Sequence, residues 1–173
     1  MKAPFLHTAF IALGSNLQDP IRQVKNALSA IEKHANIHLL KVSSFYITAP
    51  VGYKNQPNFI NAVAEIHTDL TPIALLKTVL DIELAHGRER PFANAPRVLD
   101  CDILLYDDVI LQDKELILPH PRMLERGFVM IPLNEIAPDL VISQQRVKDW
   151  LNADMYKDIT KYIEKIPTPY EPH

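Results

Sequence analysis

Only four glycines and one cysteine occur in 173 residues, and each scarcity excludes something. A lone cysteine rules out an internal disulfide. The glycines, Gly14, Gly52, Gly87 and Gly127, stand far apart. Neither a G-x-x-x-x-G-K-S/T loop nor a G-x-G-x-x-G turn can be built from them, so any phosphates must be held by side chains and metal. No apolar run approaches membrane-spanning length, and the first residues lack the basic, apolar and cleavage segments of a secretory signal. A cytoplasmic location is therefore expected. The net charge of −3 gives no field that favours nucleic acid or an anionic membrane, so neither is expected as a partner.

What is present fits one domain spanning residues 1–173, since 47% hydrophobic content in a chain of this length supplies a single core. That core is expected over residues 8–142, followed by a helical extension and tail over 143–173. Fourteen prolines cluster at Pro50 and Pro57, Pro91 and Pro96, and Pro119 and Pro121, where they stiffen loops.

The most informative run is Pro96-Arg97-Val98-Leu99-Asp100-Cys101-Asp102-Ile103-Leu104-Leu105. An Asp-x-Asp pair commonly begins a solvated loop, but Ile103, Leu104 and Leu105 follow directly and demand burial, which favours a strand. On a strand Asp100 and Asp102 share one face, roughly 6 to 7 Å apart, while Cys101 and Ile103 take the other. Two neighbouring carboxylates repel unless a proton or cation lies between them. Mg²⁺ suits this pair, because it takes carboxylate oxygens and completes its shell with water and substrate phosphates.

Apolar spacing organises the rest. Residues 8–13 read as a strand. Asp19 caps and Pro20 opens a helix whose stripe is Ile21, Val24, Leu28 and Ile31. Residues 37–46 read as a second strand. Over residues 58–67, Ile60, Ala62, Ala64 and Ile66 line one face, with Phe59, Asn61 and Glu65 on the other. Thr71 and Pro72 begin a second helix, with Leu76, Val79, Leu80 and Ile82 as its stripe and Gly87 at its end. A hairpin is expected through Asp107 and Asp108, a short helix over 130–137, and further helices from the stripe Val147, Trp150, Leu151 and then Ile159, Tyr162, Ile163. The order β-α-β-β-α-β predicts a ferredoxin-like α+β sandwich with a mainly antiparallel sheet and C-terminal helices.

Two basic groups flank the acidic pair: Arg88, Arg90 and Arg97 before it, and His120, Arg122 and Arg126 after it. Guanidinium forks bind phosphate oxygens, and with carboxylate-held Mg²⁺ they suit an in-line phosphoryl displacement without a glycine-rich loop. Thr48, Phe59 and Asn61, with Phe128, combine rings and an amide in a way that suits a planar heterocycle. A different two-metal phosphoryl or nucleotidyl transferase would use the same acids. A non-catalytic RNA-binding sheet would need basic residues among its aromatics, and the acids argue against it.

In order and spacing, several motifs resemble one family: Ala12-Leu13-Gly14-Ser15-Asn16-Leu17, Val42-Ser43-Ser44-Phe45-Tyr46, Gln56-Pro57 with Phe59 and Asn61, Ile82-Glu83-Leu84, Gly87-Arg88-Glu89-Arg90, the Asp100 run, Pro119-His120-Pro121, Arg126-Gly127-Phe128 and Glu135-Ile136-Ala137-Pro138. The chain looks like 6-hydroxymethyl-7,8-dihydropterin pyrophosphokinase of folate biosynthesis. The resemblance implies a transferase that moves diphosphate from ATP to 6-hydroxymethyl-7,8-dihydropterin, releasing AMP, with two Mg²⁺ ions; a monomer is expected. It implies metal binding by Asp100 and Asp102, with Arg88 and Arg97 joining them in catalysis. Glu83, Arg88, Arg90, Arg97, His120 and Arg126 would contact ATP, and Gly14, Thr48, Ala49, Val51, Phe59, Asn61 and Phe128 the pterin. A catalytically impaired relative is the alternative, because Ala93 and Asn94 replace a basic residue and a Trp, and Glu115 and Ile117 stand where Arg and Thr are common.

Overall fold

A computed structural model of the protein describes residues 5–17, 19–50, 56–87 and 98–163. The elements run β1 (His7–Ser15), α1 (Pro20–Lys33), β2 (Ile37–Val42), β3 (Tyr46–Thr48), β4 (Phe59–Thr68), α2 (Pro72–Gly87), β5 (Asp100–Tyr106), β6 (Leu111–Gln112), β7 (Ile117–Leu118) and α3 (Gly127–Ile136). Beyond them come β8 (Val141–Ile142), β9 (Gln145–Arg146), α4 (Val147–Trp150) and β10 (Ile159–Lys161). The main sheet has the order β10-β3-β4-β1-β5, with β2 also paired to β4, and every pairing is antiparallel. Since β1 and β2 are joined through α1 but lie on either side of β4, the core is the split β-α-β arrangement of the predicted ferredoxin-like α+β class.

The α1 start follows the expected chemistry. Asp19 adopts φ 62° and accepts from the Arg22 amide at 3.5 Å, and Pro20 supplies a first residue whose missing N–H costs nothing there. Val24, Ala27 and Ile31 are buried against the sheet, worth about 1.5–3 kcal/mol for a fully buried aliphatic side chain of the size of Val24 or Ile31. Thr71 caps α2 through its hydroxyl, which accepts from the Ala74 amide at 3.2 Å.

Alternation on β4 sorts its side chains as expected. Ile60, Ala62, Ala64 and Ile66 join Ala9, Ile11, Leu13, Cys101 and Ile103 in the core under α1 and α2. The opposite face is only partly covered. There α3 packs Val129, Met130 and Leu133 against Phe10, Tyr46, Val63 and Leu104. A bulge in β5 at the Phe10 and Ile11 register puts both Leu104 and Leu105 on this face, which explains an apolar run longer than alternation requires.

Four expectations need correction. The strand expected over 37–46 is two strands, because at Ser43 the ladder breaks and the side chain substitutes for backbone. The Ser43 amide donates to the Val63 carbonyl, and the Val63 amide to the Ser43 hydroxyl, both at 2.9 Å. On α2 the buried stripe is Leu75, Val79 and Ile82, while Leu80 is 44% exposed. Two apolar stripes run along this helix, and the sheet takes the one through Leu75. The chain does turn at Asp107 and Asp108, but β6 pairs with β7 rather than with β5. Finally, Ile159 belongs to a strand, not a helix: β10 adds to the edge of β3, and Tyr162 continues it with an amide donated to the Phe45 carbonyl at 2.7 Å. An open strand edge offers backbone partners that a short helix could not use. Of the C-terminal helices expected, α4 is a single turn, followed by the 3-10 turn Ala153–Tyr156.

Candidate active site

The sheet face that α3 leaves uncovered forms the floor of a cavity of about 620 Å³. Register builds its centre. Gly14 on β1 is paired with Asn61 on β4 to one side and with Asp100 on β5 to the other. Ala12 is likewise paired with Val63 and Asp102. Directly paired residues project from the same face, so two carboxylates and a carboxamide stand around a strip paved only by Gly14 and Ala12. The alternation read from the sequence thus places Asp100 and Asp102 together, one half-buried and one exposed, with Cys101 turned into the core.

Asn61 is fixed in orientation. Its amide nitrogen donates to the Thr48 hydroxyl at 2.7 Å in a buried contact, which leaves its carbonyl oxygen over Gly14 as an acceptor. Phe59 on β4 and Phe128 on α3 line the same cavity, as do Thr48, Ala49 and Arg126. The Arg126 guanidinium lies 5.5 Å from the centre of the Phe128 ring, a cation–π contact joining a basic residue to an aromatic wall. Gln56, Arg122, Glu125 and Gly127 also line the cavity without having been expected there as contact residues. For Gln56 a signal existed in the paired motifs: the Asn16 amide donates to its side-chain oxygen at 2.8 Å, tying the turn after β1 to the approach to β4. Glu125 carried no sequence signal.

Two expected nucleotide contacts lie beside the cavity. His120 is anchored by its backbone amide, which donates to the Leu104 carbonyl at 2.9 Å, and its Nδ1 accepts from the Arg122 amide at 3.3 Å. In the neutral ring the proton therefore sits on Nε2. Burial lowers the His120 pKa most; the Asp102 carboxylate opposes it, and the Arg126 and Arg122 charges add to it, so the ring titrates below its ordinary value. Glu83, on α2, accepts from the Cys101 amide at 2.7 Å at the outer edge of β5, holding the residue between the two aspartates. Burial, then the charges of Glu83, Asp102 and Asp100, push the Cys101 thiol well up, so it stays protonated and inert. Arg88, Arg90, Arg97 and Val51 lie outside the described residues, as do Ala93 and Asn94.

Among the described residues no three His, Cys, Asp or Glu side chains converge to cage a metal. Two carboxylates on one strand face beside open space nonetheless fit Mg²⁺, which is commonly bound through one or two carboxylates plus water and phosphate oxygens.

Comparison with known proteins bears on this geometry directly. The model of the 7,8-dihydro-6-hydroxymethylpterin-pyrophosphokinase (HPPK) family matches residues 10–138. The chain belongs to this family. It is 47% identical over 140 residues to 2-amino-4-hydroxy-6-hydroxymethyldihydropteridine pyrophosphokinase of Haemophilus influenzae, covering 81% of this chain and 88% of the relative. It is 42% identical over 141 residues to the Pseudomonas aeruginosa protein of the same name, covering 82% and 87%. Among solved structures, a triple mutant of Plasmodium falciparum HPPK-DHPS with STZ-DHP matches with a TM-score of 0.72 over 93% of this chain at 12% identity. That likeness shows the fold alone, and the chain spans about half the length of the Plasmodium protein, 47% of it. As a member of the HPPK family the protein is a diphosphotransferase by class, and the β-α-β-β-α-β core is the family's fold. No described helix is long and apolar enough to cross a membrane.

Proposed function

We propose that the protein transfers the diphosphoryl group of ATP to the hydroxymethyl oxygen of 6-hydroxymethyl-7,8-dihydropterin, giving AMP and the pterin diphosphate of folate biosynthesis. The observation that carries this reading is the row Asp100-Gly14-Asn61: a carboxylate and an oriented carboxamide face each other across a glycine at the base of one cavity.

The pterin lies over Gly14, where only a hydrogen atom intrudes, with the Asn61 oxygen accepting from a ring N–H. Phe59 and Phe128 hold its faces. Thr48 keeps the Asn61 amide from rotating and so discriminates between donor and acceptor edges of the heterocycle. The hydroxymethyl oxygen attacks the β-phosphorus, the bond from that phosphorus to the α,β-bridging oxygen breaks, AMP departs and the hydroxyl proton is released. Mg²⁺ held by Asp100 and Asp102 neutralises phosphate oxygens when bound. Arg126 and His120, with Arg88, Arg90 and Arg97 in the segment before Asp100, hold the nucleotide's phosphates, Arg88 and Arg97 on the transferring group. Glu83 serves the nucleotide side by fixing the backbone between the aspartates. Such chemistry needs positioning and charge rather than a covalent intermediate.

The test is AMP formation from Mg-ATP with and without the pterin, using wild type and an Asp100→Ala, Asp102→Ala double variant. Pterin-dependent AMP that disappears in the variant is the expected result. Pterin binding without AMP identifies a catalytically impaired relative, and absence of both removes the assignment.

A further inference from the structure

The part of the chain matched by the family ends at residue 138, yet residues beyond it touch both walls of the pterin site. On one wall, Ile159 of β10 pairs with Thr48, and the Ala49 amide donates to the Asp158 carbonyl at 3.1 Å. On the other, Gly127 lies so close to Met155 that an added Cβ would overlap the Met155 backbone, standing 2.9 Å from its Cα. Between these contacts the segment is stiffened by its own bonds. The Asn152 side chain accepts from the Met155 amide at 3.2 Å, and the Lys157 amide donates to the Asp154 carbonyl at 3.2 Å. A second cavity of about 530 Å³ lies between the segment and the two walls, sharing Thr48, Ala49, Gly127 and Phe128 with the first.

We propose that segment 152–161 is a positioning element of the pterin site, in which Met155 and Asp158 set the separation between Thr48–Ala49 and Gly127–Phe128. The inference rests on the diphosphate-transfer reading. Neither positioning residue lines the reaction cavity, so each acts through the wall it touches. The segment touches both walls, beside the direct tie of α3 to β3 through Glu135 and Tyr46. Holding this separation constant keeps the heterocycle stacked on Phe128 and the hydroxymethyl group in line. Nucleotide binding is built on β5 and the basic groups around it, and it meets this wall through Arg126, whose guanidinium lies over the Phe128 ring.

Asp158 gives a clean probe, because it is exposed and adopts φ 59°. Asparagine tolerates that conformation, whereas valine is strained there and must move the carbonyl that Ala49 uses. Steady-state constants for wild type, Asp158→Asn, Asp158→Val and Gly127→Ala are compared, with thermal midpoints alongside. The expected result is a pterin KM raised about tenfold or more in Asp158→Val and Gly127→Ala, with the ATP KM within about twofold in Asp158→Val, which acts on the wall away from Arg126, and Asp158→Asn unchanged. Should Gly127→Ala not fold, Asp158→Val at the exposed turn decides. Wild-type constants in folded Asp158→Val, or both KM values rising together with a fallen midpoint, overturn the proposal while the activity stands. A wild type that forms no AMP with the pterin overturns the activity and the positioning role with it.

Discussion

A Cβ placed on Gly14 stands 2.7 Å from the side-chain oxygen of Asn61, inside any real contact distance. Asn61 cannot retreat cheaply, because it is 8% exposed and its amide is committed to Thr48. Gly14→Ala is therefore expected to swing the carboxamide off its acceptor position. Pterin affinity, followed by equilibrium titration without ATP, should fall about tenfold, consistent with overpacking worth roughly 1–3 kcal/mol. ATP affinity should hold. Unchanged pterin affinity would remove Asn61 from the recognition scheme.

The acidic pair predicts a separable metal effect. Asp100→Asn and Asp102→Asn keep side-chain volume and strand pairing, and both side chains stand at the cavity rather than in the core. Each variant should remain folded, with turnover lowered by about 10²-fold or more as phosphate charge goes uncompensated. Chelation of divalent cations should abolish wild-type AMP formation, and added Mg²⁺ should restore it. Full activity in a chelated wild type would sink the metal role.

Features governed by short periods were legible in the sequence. Two-residue alternation placed Asp100 with Asp102, and Phe59 with Asn61, because it survives any choice of strand partner. Register was not legible, and register is what makes Gly14 the floor between Asn61 and Asp100. Helix phase was partly legible on α2: Val79 and Ile82 are buried and Leu76 packs against the core as expected, but the sheet beneath takes Leu75 rather than Leu80. Ile159, Tyr162 and Ile163 sit at helical spacing, but the vacant edge of β3 captures three residues as a strand too short to leave a pattern of its own. Glu83 showed its family position but not its bond to the Cys101 amide, a partner that no side-chain pattern records.

The Arg126 and Phe128 stack joins the two halves of the site, since Arg126 is assigned to phosphate and Phe128 to the pterin. Ordering either residue with its ligand orders the other. A double-mutant cycle on Arg126→Ala and Phe128→Ala, read in pterin affinity at saturating ATP analogue, should show coupling of about 0.5–1 kcal/mol. The coupling should shrink when the nucleotide is omitted. Strict additivity under both conditions would make the stack incidental.

Glu135 on α3 clasps the break between β2 and β3. Its carboxylate accepts from the Tyr46 hydroxyl and the Ser44 hydroxyl, each at 2.7 Å, and from the Ser44 amide at 2.9 Å, with Lys161 of β10 at 3.9 Å. Burial pushes the Glu135 pKa up, but the hydrogen bonds from Tyr46 and Ser44 and the Lys161 charge outweigh it, so the carboxyl titrates below its usual value of 4.5. A carboxyl with a depressed folded-state pKa contributes stability that is present above the unfolded value and lost as pH falls through the folded one. The clasp should therefore be intact at neutral pH and weaken below about pH 4.5. Burial, then the bond to Glu135 and its charge, push the Tyr46 phenol far up, so it remains a donor throughout this range. Glu135→Gln should lower stability at pH 7 by about 1–2 kcal/mol, and the difference from wild type should narrow on acidification, as followed by denaturant melts at several pH values. A gap that stays constant from pH 7 to pH 3 would show that the charge of Glu135 contributes nothing to the clasp.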